Sequence, residues 1–225
     1  MGRAWATSCV LALLVACAPI QTPPALKNFA KSDTAFFVEA VRTELDQRLA
    51  ELMIKLYRRN PIQMPPEMTL ELRLLQLKSP RISLAEFDQT SSDALLRFAF
   101  DPAFQGDRVF AFTAGLQDMV NRAFDGRREF LLLDDFPDPQ FIYNSARNIE
   151  MAAYLLRSQR DASGQPYLYA DGVQDDVLNA SYSQILGGLI SVQDTLATTL
   201  AMKDQRTINA VTRGVASTLF LPVGF

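Results

Sequence analysis

The sequence predicts an all-α fold, an irregular helical bundle of six or seven helices with little or no strand. Three observations carry this expectation. Apolar residues recur at spacings of three and four in one segment after another, the period of a single helix face. Ser and Asp residues stand ahead of these stripes and prolines or glycines behind them, the start and stop chemistry of helices. Alternating runs of β-branched residues, which would mark strands, are nearly missing. No period of roughly 20 to 50 residues repeats convincingly, so facing helices are favoured over a repeat solenoid.

The elements follow in order. Ser32-Asp33 form a cap, after which Val38, Val41, Leu45, Leu49, Leu52 and Leu56 make one stripe that Pro61, Pro65 and Pro66 end. Glu67 to Lys78 fits either period, but leucine rather than β-branched residues favours a helix. Ser91-Ser92-Asp93 cap a short helix through Phe100. Asp107 opens a longer one with Val109, Phe112, Leu116, Met119, Val120 and Ala123 on one side, ending near Gly126. An apolar loop, Phe130 to Phe136, leads to a helix from Asp138 to about Arg160, with Ile142, Ile149, Ala153 and Leu156 inward. Ser163-Gly164-Gln165-Pro166 is turn chemistry, and Tyr167-Leu168-Tyr169 is the one stretch with strand character, closed by Asp171-Gly172. From Asp175 the pattern reads as helix again through Leu178, Tyr182, Ile185, Leu189, Val192, Leu196 and Leu200. Asp204 caps an expected final helix carrying Ile208, Val211, Val215 and Leu219, stopped by Pro222.

Composition narrows the chemistry. The chain has no histidine, which removes Ser-His-Asp and Cys-His nucleophile pairs, histidine metal sites and imidazole acid–base work. No catalytic residue, metal site or cofactor is assigned. A net charge of −3 and no basic run longer than two residues argue against nucleic acid as a partner.

Polar groups are densest on the helix from Asp138. Tyr143, Arg147, Glu150 and Tyr154 fall on one ridge, with Asn144 and Asn148 beside it. Tyr143, Asn144, Arg147, Asn148 and Glu150 therefore form a candidate binding ridge for a polar ligand such as a glycan or peptide. The structural alternative is an ordinary Arg147–Glu150 pair, with the asparagines bonded to neighbouring backbone. Arg58-Arg59 suit the negative end of the first helix dipole; the alternative there is a phosphate or headgroup site. Asp134-Asp135 and Asp175-Asp176 are the carboxylates that glycoside chemistry would need. Gly187-Gly188 interrupt a helix and call for compensation, most simply the close approach of another helix. The uncharged tail after Arg213 either packs into the body or forms an exposed apolar patch.

The opening has a basic start at Arg3, an apolar middle from Val10 to Val15 that is too short to span a bilayer, and Leu14-Val15-Ala16-Cys17. This resembles the signal peptide and lipobox of bacterial lipoproteins. The resemblance implies cleavage before Cys17, lipidation of Cys17 and a membrane anchor. In that family Asp after the cysteine retains a protein at the inner membrane. Ala18 here implies the outer membrane, periplasmic face. Tyr143-Asn144-x-Ala146-Arg147-Asn148-x-Glu150 and Phe220-Leu221-Pro222-Val223 also resemble segments of proteobacterial lipoproteins of unknown function.

Three segments follow: residues 1–16 as signal, 17–31 as lipidated Cys and flexible tether with Pro19, Pro23 and Pro24, and 32–225 as a single α-helical domain. Losing the signal removes Trp5 and Cys9, leaving one cysteine and no possible intramolecular disulfide. The expected function is a non-catalytic binding or accessory module for another cell-envelope component, with an envelope protein as partner. The second reading is a carrier of an apolar or lipid ligand lined by Phe110, Phe112, Phe124 and Met151. A carboxylate-based glycan-active enzyme is the third.

Overall fold

A computed structural model describes residues 31–79, 87, 91–131, 134–174, 177–204, 208 and 220–223. All of them belong to one compact unit, Lys31–Phe225. Cys17, the tether and most of the expected final helix lie outside the described residues. The fold is an all-α bundle. Its helices are α1 (Asp33–Arg59), α2 (Leu70–Leu77), α3 (Ser92–Phe98), α4 (Arg108–Ala123), α5 (Pro139–Ser158) and α6 (Ser181–Lys203). A 3₁₀ turn, Pro61–Gln63, follows α1, and a small hairpin of β1 (Gly172–Gln174) and β2 (Val177–Asn179) precedes α6.

Three starts are set by expected caps, whereas Ser91 makes no side-chain cap hydrogen bond at α3 and Thr69 caps α2. The Ser32 hydroxyl accepts from the Ala35 N–H, the Asp107 carboxylate from the Phe110 N–H and the Asp138 carboxylate from the Gln140 N–H. Each satisfies a donor that the first helical turn leaves without a partner. The α1 stripe is buried throughout, from Val38 to Leu56. Each such aliphatic side chain contributes about 1.5–3 kcal/mol when fully taken out of water.

Four helices close a ring. Arg42 meets Asn121 and Tyr57 meets Asp107, so α1 and α4 run antiparallel. Tyr182 donates to the Lys55 carbonyl and Gly188 lies against Arg48, so α1 and α6 are also antiparallel. Arg147 pairs with Asp194, and Lys203 sits over the Phe136 ring just ahead of α5, which sets α5 against α6 in the same sense. With α4 and α5 also in contact, the ring is an up-down-up-down four-helix arrangement. α2 and α3 are inserted between its first two members. α3 packs on α4 where Gly115 has no side chain: a Cβ there would lie 2.8 Å from Leu96 Cγ and 2.9 Å from the Ser92 carbonyl.

The ring has two poles. One gathers the start of α1, the end of α4, the start of α5 and the end of α6. The other gathers the end of α1, the start of α4, the end of α5 and the start of α6.

Two expectations are corrected. Tyr167–Tyr169 is not a strand. The Asn60 side chain takes the part of a partner strand, donating to the Tyr169 carbonyl and accepting from its N–H at 2.8 and 2.7 Å. The strands lie further on, where Val173 pairs with Leu178 in an antiparallel register. The last long helix starts at Ser181 rather than Asp175. The cause is Asp171, whose carboxylate accepts from the N–H groups of Tyr182 and Ser183, both at 3.0 Å, and fixes the helix start from ten residues upstream. Leu178 matched the helical period but belongs to β2 and is exposed.

α6 is long and apolar enough to cross a membrane by length and composition. Its Tyr182, Ile185, Leu189, Leu196 and Leu200 are buried in the bundle, and Asp194 pairs with Arg147, as in a core helix of a globular domain.

Candidate functional site

The five ridge residues of α5 are brought to one helix but not to one task. Asn148 and Asn144 are buried and hold the chain's own C-terminal segment. The Asn148 amide donates to the Leu221 carbonyl and accepts from the Leu221 N–H, both at 2.7 Å. The Asn144 amide donates to the Pro222 carbonyl at 2.7 Å and accepts from Gln140. Arg147 lies on the outer side, 2.7 Å from Glu150 and 2.5 Å from Asp194, with its guanidinium 5.0 Å from the Tyr143 ring centre. The ridge is thus a clasp for residues 221–222 beside a surface ion-pair network. An external ligand would have to displace this segment.

A second polar centre was not singled out in the sequence. Asp107 and Arg73 are both fully buried and lie 3.0 Å apart. Tyr57 donates to the same carboxylate at 2.5 Å, and the Arg73 guanidinium stacks 4.1 Å from the Phe110 ring centre. Burial, then the neighbouring carboxylate, pushes the Tyr57 phenol well above the usual tyrosine range. Every partner here neutralises another, so the centre ties α1, α2 and α4 together. Charges taken this far out of water are tolerated only when paired. A cap residue (Asp107) and a helix of uncertain period (α2) are the only traces it leaves in the sequence.

A third, partly buried network joins α1 to α4. Arg42 pairs with Asp46 at 3.0 Å and donates to Asn121, Gln117 donates to Asp46 at 2.8 Å, and Arg128 reaches Asp46 at 3.0 Å. Desolvation lowers the Arg42 pKa to about 10, against the pull of Asp46.

Exposed apolar side chains collect at the pole where α1 ends. Ile62 is 89% exposed, and Val173 and Leu178, opposite one another in the hairpin, are each 68% exposed. Tyr169 is also exposed. These residues sit on backbone tied firmly to the bundle. Asn60 holds Tyr169, Asp171 holds the start of α6, and the Arg108 N–H donates to Gln63 beside Ile62. The Arg108 side chain donates to the Phe98, Ala99 and Phe104 carbonyls and stacks on Phe104 and Tyr167. Next to Ile62 an open groove of about 490 Å³ runs between residues 62–67 and 104–108.

The remaining candidates are accounted for locally. The Arg58-Arg59 pair occupies the last turn of α1. Asp134 accepts from the Leu131 N–H at 2.8 Å, while Asp175 and Asp176 lie outside the described residues. Phe110, Phe112 and Phe124 are fully buried, and Met151 nearly so. Gly188 makes room for the Arg48 guanidinium, whose Cζ would be 2.9 Å from a Cβ, whereas Gly187 faces open space. Among the described residues no group of three or more Asp, Glu, Cys or His side chains is arranged to hold a metal ion.

No family model matches the chain, and neither the curated proteins nor the solved structures contain a match to it.

Proposed function

We propose that this chain is a periplasmic lipoprotein, anchored at the outer membrane through Cys17, that acts as a non-catalytic module binding another envelope protein. The binding surface is the apolar pole of Ile62, Tyr169, Val173 and Leu178. The observation that carries this reading is the pairing of Val173 and Leu178, two large apolar side chains exposed together on a hairpin whose base is fixed. Ordered apolar surface of this kind, rimmed by polar residues, is characteristic of contact sites. Its placement also suits a tethered module. α1 begins just after Lys31, and its 27 residues at about 1.5 Å each carry the apolar pole roughly 40 Å from the end that receives the tether.

Site-specific photo-crosslinking in cells tests the assignment. A crosslinker at Val173 or Leu178 is expected to capture the same envelope protein, one at the exposed mid-helix Glu51 is not, and Ile62→Asp is expected to abolish capture. Equal capture from all three positions, or none from the hairpin, would contradict it.

A further inference from the structure

The opposite pole carries its own apolar surface, built from three separate places in the chain. Phe36 and Phe37 project from the first turn of α1, Leu131 from the loop between α4 and α5, and Met202, 76% exposed, from the last turn of α6. Specific contacts bind these places to each other. The Glu39 carboxylate accepts from Lys31 and from the Phe130 N–H, both at 2.7 Å. The Phe130 ring lies 6.2 Å from Phe136, and Lys203 lies 4.1 Å from the Phe136 ring centre. The four exposed side chains therefore ride on one cross-linked end of the bundle.

From this arrangement we infer that the pole bearing Phe36, Phe37, Leu131 and Met202 rests on the membrane, as a second, non-covalent contact beside the lipid anchor. The inference depends on the anchoring proposed above. The occupant follows from where the tether enters. Lys31 stands at this pole, and only thirteen residues separate it from Cys17, a length of chain that covalent geometry limits to about 50 Å at full extension. A lipid surface is held at high effective concentration beside this end, so weak apolar contacts suffice.

Charge identifies the kind of surface. Lys31 is engaged by Glu39, Arg127 by Asp125 and Arg128 by Asp46, while Lys203, over the Phe136 ring, is exposed along with Asp33, Glu129 and Asp135. Among the described residues no cluster of exposed cations gathers at this pole, so the contact suits zwitterionic headgroups. Aromatic and thioether side chains enter the interface there without electrostatic help.

Single-tryptophan fluorescence tests the inference in the acylated protein, purified from membranes and reconstituted into zwitterionic phospholipid vesicles with brominated acyl chains. The acylated form has already lost Trp5 with its signal, so the sole tryptophan is the reporter: Leu131→Trp, Met202→Trp or, at the far pole, Ile62→Trp. Vesicle flotation reads the anchor, and quenching reads the second contact. The expected result is flotation of all three, with at least twofold quenching of the two near-pole reporters, none of the Ile62→Trp reporter, and no change in about 0.5 M salt. Flotation without near-pole quenching, or with all three quenched alike, overturns the inference while leaving the anchor intact. Failure to float overturns both.

Discussion

Asp107 shows how much a single side chain does in this bundle. It caps α4 through the Phe110 N–H, neutralises the buried Arg73 and accepts from Tyr57. Asp107→Asn leaves the Arg73 guanidinium buried against a neutral amide, a loss expected at about 3–5 kcal/mol. Tyr57→Phe removes one donor and is expected to cost about 1 kcal/mol. Urea denaturation of the two variants checks the order, and equal losses would contradict this account of the centre. The phenol also predicts a pH effect. Its folded pKa lies above the ordinary 10.0, so the stability it contributes is complete below that pH. As the pH rises further, the unfolded phenol ionises and the folded one does not, so stability falls. Between about pH 9 and 11 the wild-type protein should lose more stability than Tyr57→Phe, and parallel losses would contradict the assignment.

At the scale of elements, the glycines make opposite predictions. Gly187→Ala, facing open space in mid-helix, should stabilise the fold by about 0.5–1 kcal/mol. Gly115→Ala drives a methyl group into Leu96 and the Ser92 carbonyl and should destabilise it by about 1–3 kcal/mol. Thermal melts of the two variants should shift in opposite directions, and a common direction would show that the α3–α4 contact is misplaced. Asn148→Ala frees Leu221, and limited proteolysis should then remove the C-terminal segment faster than in the wild type.

The elements that the sequence revealed are those whose starts and stripes are local. Ser32, Asp107 and Asp138 cap the helices they precede, and the α1, α4 and α5 stripes are all buried. Asp171 caps a helix across an intervening hairpin, and the Asn60 amide replaces a strand from 109 residues away. Neither partnership has a local signature, so local patterns misplace the start of α6 and the strands. The candidate site was legible only in composition. The Arg147–Glu150 spacing was visible, whereas the use of Asn144 and Asn148 as a clasp required residues 221–222 to arrive from far along the chain.

The described bundle has two unlike ends. The pole where α1 begins carries Phe36, Phe37, Leu131 and Met202, and the pole where α1 ends carries Ile62, Val173 and Leu178. Between them lies a ring of four antiparallel neighbours braced by the Tyr57–Asp107–Arg73 centre at one end and the Arg42–Asp46–Arg128 network toward the other. This polarity suits the proposed lipid-held adaptor, in which one end would meet the bilayer and the other a protein. The assignment of the two ends rests on the covalent state of residue 17. Intact mass spectrometry of the protein extracted from membranes measures it most directly. The account predicts a chain beginning at Cys17, free of tryptophan and heavier than its polypeptide by diacylglycerol and an amide-linked acyl chain; a chain retaining Trp5, or beginning at an unmodified Cys17, would contradict it.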